Sequence, residues 1–186
     1  MRDTQKSRVY SAERSVPHGR RLETVPEIQA FLDGIIKQKW FIQRYGEKHP
    51  ISISDGRGTR IARGGGWHVN LPGWSRSELI ILHEFAHNLQ PSWSAWHGRE
   101  FCKIFLELVS FVMGRVAYSL LKAAYQEKRV KWTLPDSYRV KMAERFRWSD
   151  PRNVQIYPSY TAEGARIRKE TMIIKNPESG TNKVEF

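Results

Sequence analysis

The chain has 186 residues, of which 40% are hydrophobic, and a single cysteine, Cys102. That length predicts one domain with an appendage, and one cysteine excludes an internal disulfide framework and suits a reducing compartment. No basic start leads into an apolar stretch, and the apolar runs are too short to span a bilayer. We therefore expect a cytoplasmic protein with neither a signal peptide nor a membrane partner.

The net charge of +12 is distributed unevenly along the chain. Residues 72–127 carry five basic and five acidic groups, whereas residues 1–22 carry six and two, and residues 128–186 carry thirteen and seven. A balanced centre with basic flanks suits contact with nucleic acid, and it equally suits a solvated surface. Nucleic acid is therefore a candidate partner of the flanks.

The first part of the chain predicts helices and a small sheet. Residues 9–12 predict a short strand, and a helix is expected from the capping box of Thr24 and Glu27 to about Gly46. Residues 51–54, 59–62 and 67–71 predict three strands of a small, mostly antiparallel sheet. The glycine run 64–66 between the last two would let a substrate backbone approach. His68 could assist in a cleft if its side chain faces one.

The segment His83-Glu84-Phe85-Ala86-His87 is an HExxH motif inside a predicted amphipathic helix. Ser75 and Glu78 predict the start of this helix as a capping box, and Pro91 predicts its end. Two histidines four residues apart lie on one face of a helix, so both imidazoles can reach one zinc ion. Glu84 is then placed to act as general base and acid.

A catalytic zinc site needs a third protein ligand. His97 lies ten residues beyond His87 and is followed by Gly98, which would permit a tight entry into the next helix. The alternative is Glu107, twenty residues beyond His87 on that next helix. The interpretation that neither side chain binds metal stays open, since His97 could cap a helix and Glu107 could lie on a solvated face.

The remainder of the chain predicts further helices and a basic extension. Phe101, Ile104, Phe105 and Leu108 form an apolar helical stripe, and Gly114 is expected to separate this helix from another. We place the domain at residues 1–134 and the extension at 135–186. The extension combines basic and aromatic residues over 138–148 with a predicted strand pair, 154–157 and 165–175, and ends in a polar tail.

The block from His83 to Phe105 resembles the SprT and Spartan group of zinc metalloproteases, in which HExxH is followed by HGxxF. His97, Gly98 and Phe101 match that second element, and residues 67–72 are similar to the strand that precedes the motif helix. Residues 3–13 resemble still more closely a metallohydrolase family of actinobacteria and their phages, and this likeness extends over about residues 3–128. The resemblance implies a minimal zincin fold. No cysteine-based zinc ribbon of the kind often added in the group can form here.

We therefore predict an α+β, minimal zincin-like protein that acts as a zinc-dependent metallopeptidase on proteins or peptides. His83, His87 and His97 are the predicted Zn²⁺ ligands, and Glu84 is the predicted catalytic residue. By analogy with Spartan, the substrates could be associated with nucleic acid. Two alternatives stay open: a catalytically inactive zincin-like protein that binds nucleic acid, and a zinc hydrolase of a non-peptide amide.

Overall fold

The computed structural model describes residues 3–48 and 50–134, together with two short strands at 174–175 and 181–182. The helices of the described residues are α1 (Lys6–Glu13), α2 (Val25–Ile36), α3 (Lys39–Tyr45), α4 (Glu78–Leu89), α5 (Arg99–Val112) and α6 (Gly114–Glu127). The strands are β1 (Ser52–Ser54), β2 (Arg63–Gly65), β3 (His68–Asn70), β4 (Ile174–Lys175) and β5 (Thr181–Asn182). The presence of both helices and a small sheet agrees with the predicted α+β class.

The strand predicted over residues 9–12 is wrong, because these residues lie in helix α1. Val9 and Tyr10 favour a strand locally. Long-range contacts decide the conformation instead. The Gln5 side chain donates to the carbonyl of Lys131 (3.0 Å) and accepts from the N–H of the same residue (3.0 Å). Val9 and Ala12 are then buried on one face of the helix.

Helix α2 begins where its capping box predicts. The Thr24 hydroxyl accepts a hydrogen bond from the N–H of Glu27 (3.3 Å), and the Glu27 carboxylate accepts from the N–H of Glu23 (2.9 Å). The helix does not continue to Gly46 as expected. It ends at Ile36, and a separate helix, α3, follows from Lys39 to Tyr45. Gly46 caps the end of α3 with a positive φ of 73°.

The three-stranded sheet has the order β1-β3-β2. β2 pairs antiparallel with β3, but β1 pairs parallel with β3, so the prediction of a mostly antiparallel sheet is wrong for one of the two pairings. The strand predicted over 59–62 is also wrong, because β2 lies on the glycine run at residues 63–65. Val69 of β3 is fully buried beside Gly64 in the pairing register.

Helix α4 carries the HExxH motif through the centre of the molecule. It begins after Ser77, so the predicted capping box at Ser75 is wrong; Ser75 lies in a 3-10 turn and its hydroxyl donates to the carbonyl of Pro72 (2.8 Å). The Glu78 carboxylate accepts from the backbone N–H of Arg20 (3.0 Å). Helix α4 ends at Leu89, before Pro91 as expected.

The core lies between α4, α5, α6 and the sheet, and the predicted stripe on α5 faces it. Its fully buried apolar side chains on α4, α5 and α6 are Ile81, Leu82, Phe85, Ala86, Phe101, Cys102, Ile104, Phe105, Leu108, Val109, Leu121 and Tyr125. The break at Gly114 between α5 and α6 is confirmed by its φ of 88°. Packing of α4 against both α5 and β2 holds the motif helix on two sides.

Most of residues 135–186 lie outside the described residues, including the predicted features at 138–148 and 154–157 and the polar tail apart from β5. Residues 174–175, inside the predicted strand 165–175, form β4, which pairs antiparallel with β5. The boundary at residue 134 stays a prediction. Within the part of the chain that the structure describes, no helix is long and apolar enough to cross a membrane.

Candidate metal centre

Three histidines converge at one buried point. His83 and His87 lie one turn apart on α4, with their Nε2 atoms 3.2 Å from each other. His97 lies in the loop before α5 and brings its Nε2 to 3.3 Å from the Nε2 of His83. The candidate ligand atoms of the three residues all lie within 4.8 Å of one another. The structure therefore brings together the three residues that the sequence predicts.

Two carboxylates from the N-terminal segment fix the orientation of the rings. The Nδ1–H of His83 donates to Oε1 of Glu13 (2.8 Å), and the Nδ1–H of His97 donates to Oδ2 of Asp3 (2.6 Å). A proton held at Nδ1 leaves the lone pair at Nε2, which is the nitrogen that faces the other rings. Asp3 and Glu13 therefore select the tautomer that can bind a metal.

The third ring has an amide as its partner. Nδ1 of His87 lies 3.3 Å from Nε2 of Gln90, and the buried Oε1 of Gln90 has no partner among the described residues. Rotating the amide by half a turn would let Oε1 accept from the Nδ1–H of His87. The lone pair of His87 would then also lie at Nε2.

The protonation equilibria of the three rings differ with their surroundings. Burial lowers the pKa of His87 to about 2, with the charges of His83 and His97 adding to the effect. Burial also lowers the pKa of His97, although the hydrogen bond to Asp3 opposes it. For His83 burial acts downward, but the charge and hydrogen bond of Glu13 and the charge of Glu84 raise the pKa overall. His87 and His97 are therefore held neutral, the form in which imidazole binds metal.

These residues could bind a metal ion. Three Nε2 atoms carrying lone pairs at such separations repel one another unless a cation lies between them. Asp3, Glu13 and Glu84 also surround the three rings with negative charge that a divalent cation would neutralise. The three imidazole donors and the hydrogen bonds behind them match the pattern of a metal site with oriented ligands.

Glu84 lies on α4 between the two motif histidines and is buried. Burial raises the pKa of its carboxyl, while the charge of His83 and the backbone N–H of Gly64 act in the opposite direction. Strand β2 passes so close to α4 that a Cβ on Gly64 would overlap the backbone carbonyl of Glu84. Gly64 thus admits the backbone of α4, and the approach of a substrate to residues 64–66 stays a prediction.

Aromatic rings enclose the three histidines. The Phe101 ring stacks on His87 with centroids 4.4 Å apart, and it lies 4.8 Å from His83 and 5.0 Å from His97. The four-residue spacing from His97 to Phe101 thus places an apolar wall beside the rings. Trp96, 55% exposed, packs at 5.0 Å against His87 and borders the solvent side.

Tyr10 of helix α1 contacts two of the three rings. Its centroid lies 5.5 Å from His83 and 5.0 Å from His97. Burial raises the pKa of the Tyr10 hydroxyl to about 12, and the charges of Glu84, Glu13 and Asp3 add to the rise, in that order. The phenol is therefore protonated at neutral pH.

Glu107, the alternative third ligand, is engaged elsewhere. Its carboxylate accepts from the Arg44 guanidinium (2.6 Å) and from the Tyr45 hydroxyl (2.9 Å). It does not join the histidine group, whereas His97 does. Of the two candidates that the sequence left open, the geometry brings only His97 to the other two histidines.

His68 does not face the centre. Its Nδ1 lies 2.8 Å from the Ser52 hydroxyl and its Nε2 lies 3.0 Å from the Ser54 hydroxyl. Strand alternation puts His68 on the face opposite to Val69, which packs inward. His68 is therefore a surface residue of the sheet.

Four side chains around the centre were not predicted from the sequence: Asp3, Tyr10, Glu13 and Gln90. The one signal that could have found three of them is the spacing of residues 3, 10 and 13, which repeats at helical intervals. That signal was hidden because the segment was predicted to form a strand.

Comparisons with known proteins add no assignment. No family model matches the chain, no curated protein matches it, and no solved structure is similar to it. The likeness to the SprT and Spartan group therefore depends on the motif residues alone.

Proposed function

We propose that the protein is a zinc-dependent metallopeptidase with a minimal zincin-like fold of the SprT type. The observation that carries the proposal is the convergence of the Nε2 atoms of His83, His87 and His97, with Glu84 on the same turn of α4. A helix that supplies two ligands and an adjacent carboxylate has the composition of a hydrolytic zinc site.

Zinc suits this donor set because three imidazoles leave one position of a tetrahedron open. When bound, the ion would supply a Lewis acid that acidifies water and polarises the substrate carbonyl. The contribution of the chain's own residues is to orient the histidine rings. Asp3 and Glu13 hold two of the rings in one tautomer, and Phe101 limits their movement by packing against all three.

Glu84 is the proposed general base and acid. Its carboxylate takes a proton from water as the water oxygen bonds to the carbonyl carbon, and it delivers that proton to the leaving nitrogen as the C–N bond breaks. These steps give a carboxylic acid and an amine, and the proton of the acid then passes to the amine in neutral water, which leaves a carboxylate and an ammonium group. A raised pKa makes the Glu84 carboxylate a stronger base for the first of these transfers.

The substrate class that fits is an extended peptide. β2 is an edge strand of the three-stranded sheet and runs against α4 at Glu84. A peptide added along that edge would be held by main-chain hydrogen bonds close to the three histidines. Proteins associated with nucleic acid are the proposed subset, and the support is the basic composition of residues 1–22 and 128–186.

The test compares the zinc-loaded wild type with Glu84→Gln on unfolded casein and on a mixture of fluorogenic peptides. We expect Glu84→Gln to retain zinc and to lose at least ~10²-fold in kcat. Glu100→Gln is the matched control, since Glu100 is also buried with a raised pKa but forms no hydrogen bond or ion pair with the three histidines among the described residues.

The outcomes separate the alternatives. Equal cleavage by wild type and Glu84→Gln would refute the assigned mechanism. Absence of cleavage by the wild type, together with tight and salt-sensitive binding of DNA, would favour the inactive nucleic-acid-binding alternative. Cleavage confined to small non-peptide amides would favour the third hypothesis.

A further inference from the structure

One face of α1 is directed at the candidate metal centre. Asp3, Lys6, Tyr10 and Glu13 are spaced three, four and three residues apart, which places residues on one side of a helix and its N-terminal extension. The ends of this stripe are anchored, because Asp3 binds His97 and Glu13 binds His83. The residues between the anchors are therefore held beside the histidines.

Between the two anchors, Tyr10 is the residue of this stripe whose ring contacts the histidines. Its ring packs on His83 and His97, and the side chain is partly open to solvent. Its hydroxyl makes no hydrogen bond to the described residues, unlike that of Tyr45, which donates to Glu107 at 2.9 Å. A phenol whose ring is ordered and whose donor has no protein acceptor is available to a ligand.

The contacts of Tyr10 place it at the edge of the candidate metal centre. Its ring approaches His83 of α4 and His97 of the loop before α5, whose Nε2 atoms lie 3.3 Å apart. A ligand held at these histidines would therefore lie beside the phenol, where the proposed function puts the reacting bond.

We propose that Tyr10 is a catalytic residue that donates a hydrogen bond to the carbonyl oxygen of the scissile bond. This inference rests on the proposed function and adds a second catalytic group to Glu84. The donor stabilises the negative charge that develops on the carbonyl oxygen as the water oxygen adds to the carbon. The phenol keeps its proton throughout, so the proton transfers assigned to Glu84 are unchanged.

The test uses Tyr10→Phe, which keeps the ring that packs on the histidines and removes only the hydroxyl. Tyr118→Phe is the matched control. Tyr118 also has a lysine four residues away over its ring, Lys122 at 5.6 Å compared with Lys6 at 5.7 Å for Tyr10, and it contacts none of the three histidines among the described residues.

Two readouts are measured on the full chain. The first is cleavage of the fluorogenic peptide mixture, where Tyr10→Phe should lose roughly 10²-fold in kcat with little change in KM. The second is independent of turnover: the dissociation constant of acetohydroxamate for the Co²⁺-loaded protein, followed by its visible absorption. The probe presents a carbonyl oxygen, and Tyr10→Phe should bind it about 10-fold more weakly.

Each outcome has a separate meaning. Unchanged kcat and unchanged acetohydroxamate affinity in Tyr10→Phe would overturn the assignment, as would loss of metal from this variant, which would show a structural role. If the wild type cleaves no peptide, the proposed function fails. In that case a weaker affinity of acetohydroxamate for Tyr10→Phe than for wild type and Tyr118→Phe would still establish Tyr10 as a ligand-binding donor, and equal affinities would exclude it.

Discussion

At the scale of single residues, the hydrogen bonds behind the histidines are as informative as the histidines themselves. Glu13 lies 70 residues before His83 and Asp3 lies 94 residues before His97, yet each holds an Nδ1–H. Partners of this kind usually change metal affinity when they are removed, because they fix the ring and raise its basicity.

Glu13 gives a prediction at this scale. Replacing Glu13 with Ala should weaken zinc binding by roughly 10- to 100-fold, because His83 loses both its orientation and a neighbouring negative charge. The measurement is competition for zinc against a chromophoric chelator. Glu23→Ala is the control, since Glu23 is exposed and its side chain pairs with Arg21 (2.9 Å). Equal zinc affinities of Glu13→Ala and wild type would contradict the role assigned to Glu13.

The sequence was sufficient to single out the three histidines of the candidate centre and insufficient for their hydrogen-bond partners. His83, Glu84 and His87 are set by helical spacing, which is local, and the structure adds His97 as the third member of the group. Gln90 could not be assigned, because its role depends on which ring lies beside it after folding. Glu107 was open for the same reason: nothing in the sequence shows that Arg44 will neutralise it.

At the scale of elements, the contact between β2 and α4 explains why a glycine-rich run forms a strand. The run 63–66 has weak strand propensity, and a linker was the natural prediction. Gly64 lies directly against the backbone of Glu84, so a residue with a side chain would not fit at this position. The strand predicted for residues 9–12 was wrong for a similar reason, namely that tertiary contacts outweigh local propensity. Helix α1 and the residue before it contact residues at least 70 positions away.

Gly64 gives a prediction at the scale of elements. Gly64→Ala should lower the free energy of unfolding by about 1–3 kcal/mol or more, because the added methyl group forces β2 away from α4. It should also lower peptidase activity, since β2 borders Glu84. The measurements are urea unfolding and cleavage rate.

Gly34→Ala is the matched control for that substitution. Gly34 lies in α2, where an added methyl group would meet nothing within 4 Å, and alanine in a helix interior is favoured by about 1 kcal/mol. Gly34→Ala should therefore stabilise the protein. A stable, fully active Gly64→Ala variant would show that β2 and α4 tolerate a wider separation.

At the scale of the whole molecule, the centre assembles from distant parts of the chain. α1 and the residues before it supply the partners of two rings, α4 supplies two histidines, and the loop before α5 supplies the third. Gln5 links this loop to the segment after α6, because its amide donates to the carbonyls of His97 (2.8 Å) and Lys131 (3.0 Å). Metal binding is therefore expected to stabilise the folded domain as a unit.

The sequence predicted the α+β class and the order of the central helices, because amphipathic periodicity and helix-breaking residues are local signals. It did not predict that β1 and β3 run parallel, since strand pairing is decided by the tertiary arrangement. The prediction of a minimal zincin fold goes beyond the class that the structure establishes, and it depends on the same three histidines as the proposed function.

The most direct measurement is the zinc content of purified protein, determined by elemental analysis for the wild type, His97→Ala and Glu107→Gln. We predict one zinc ion per chain in the wild type, retained in Glu107→Gln and lost or greatly reduced in His97→Ala. Zinc that persists in His97→Ala and disappears in Glu107→Gln, or a wild type that binds no divalent metal, would contradict the proposed centre.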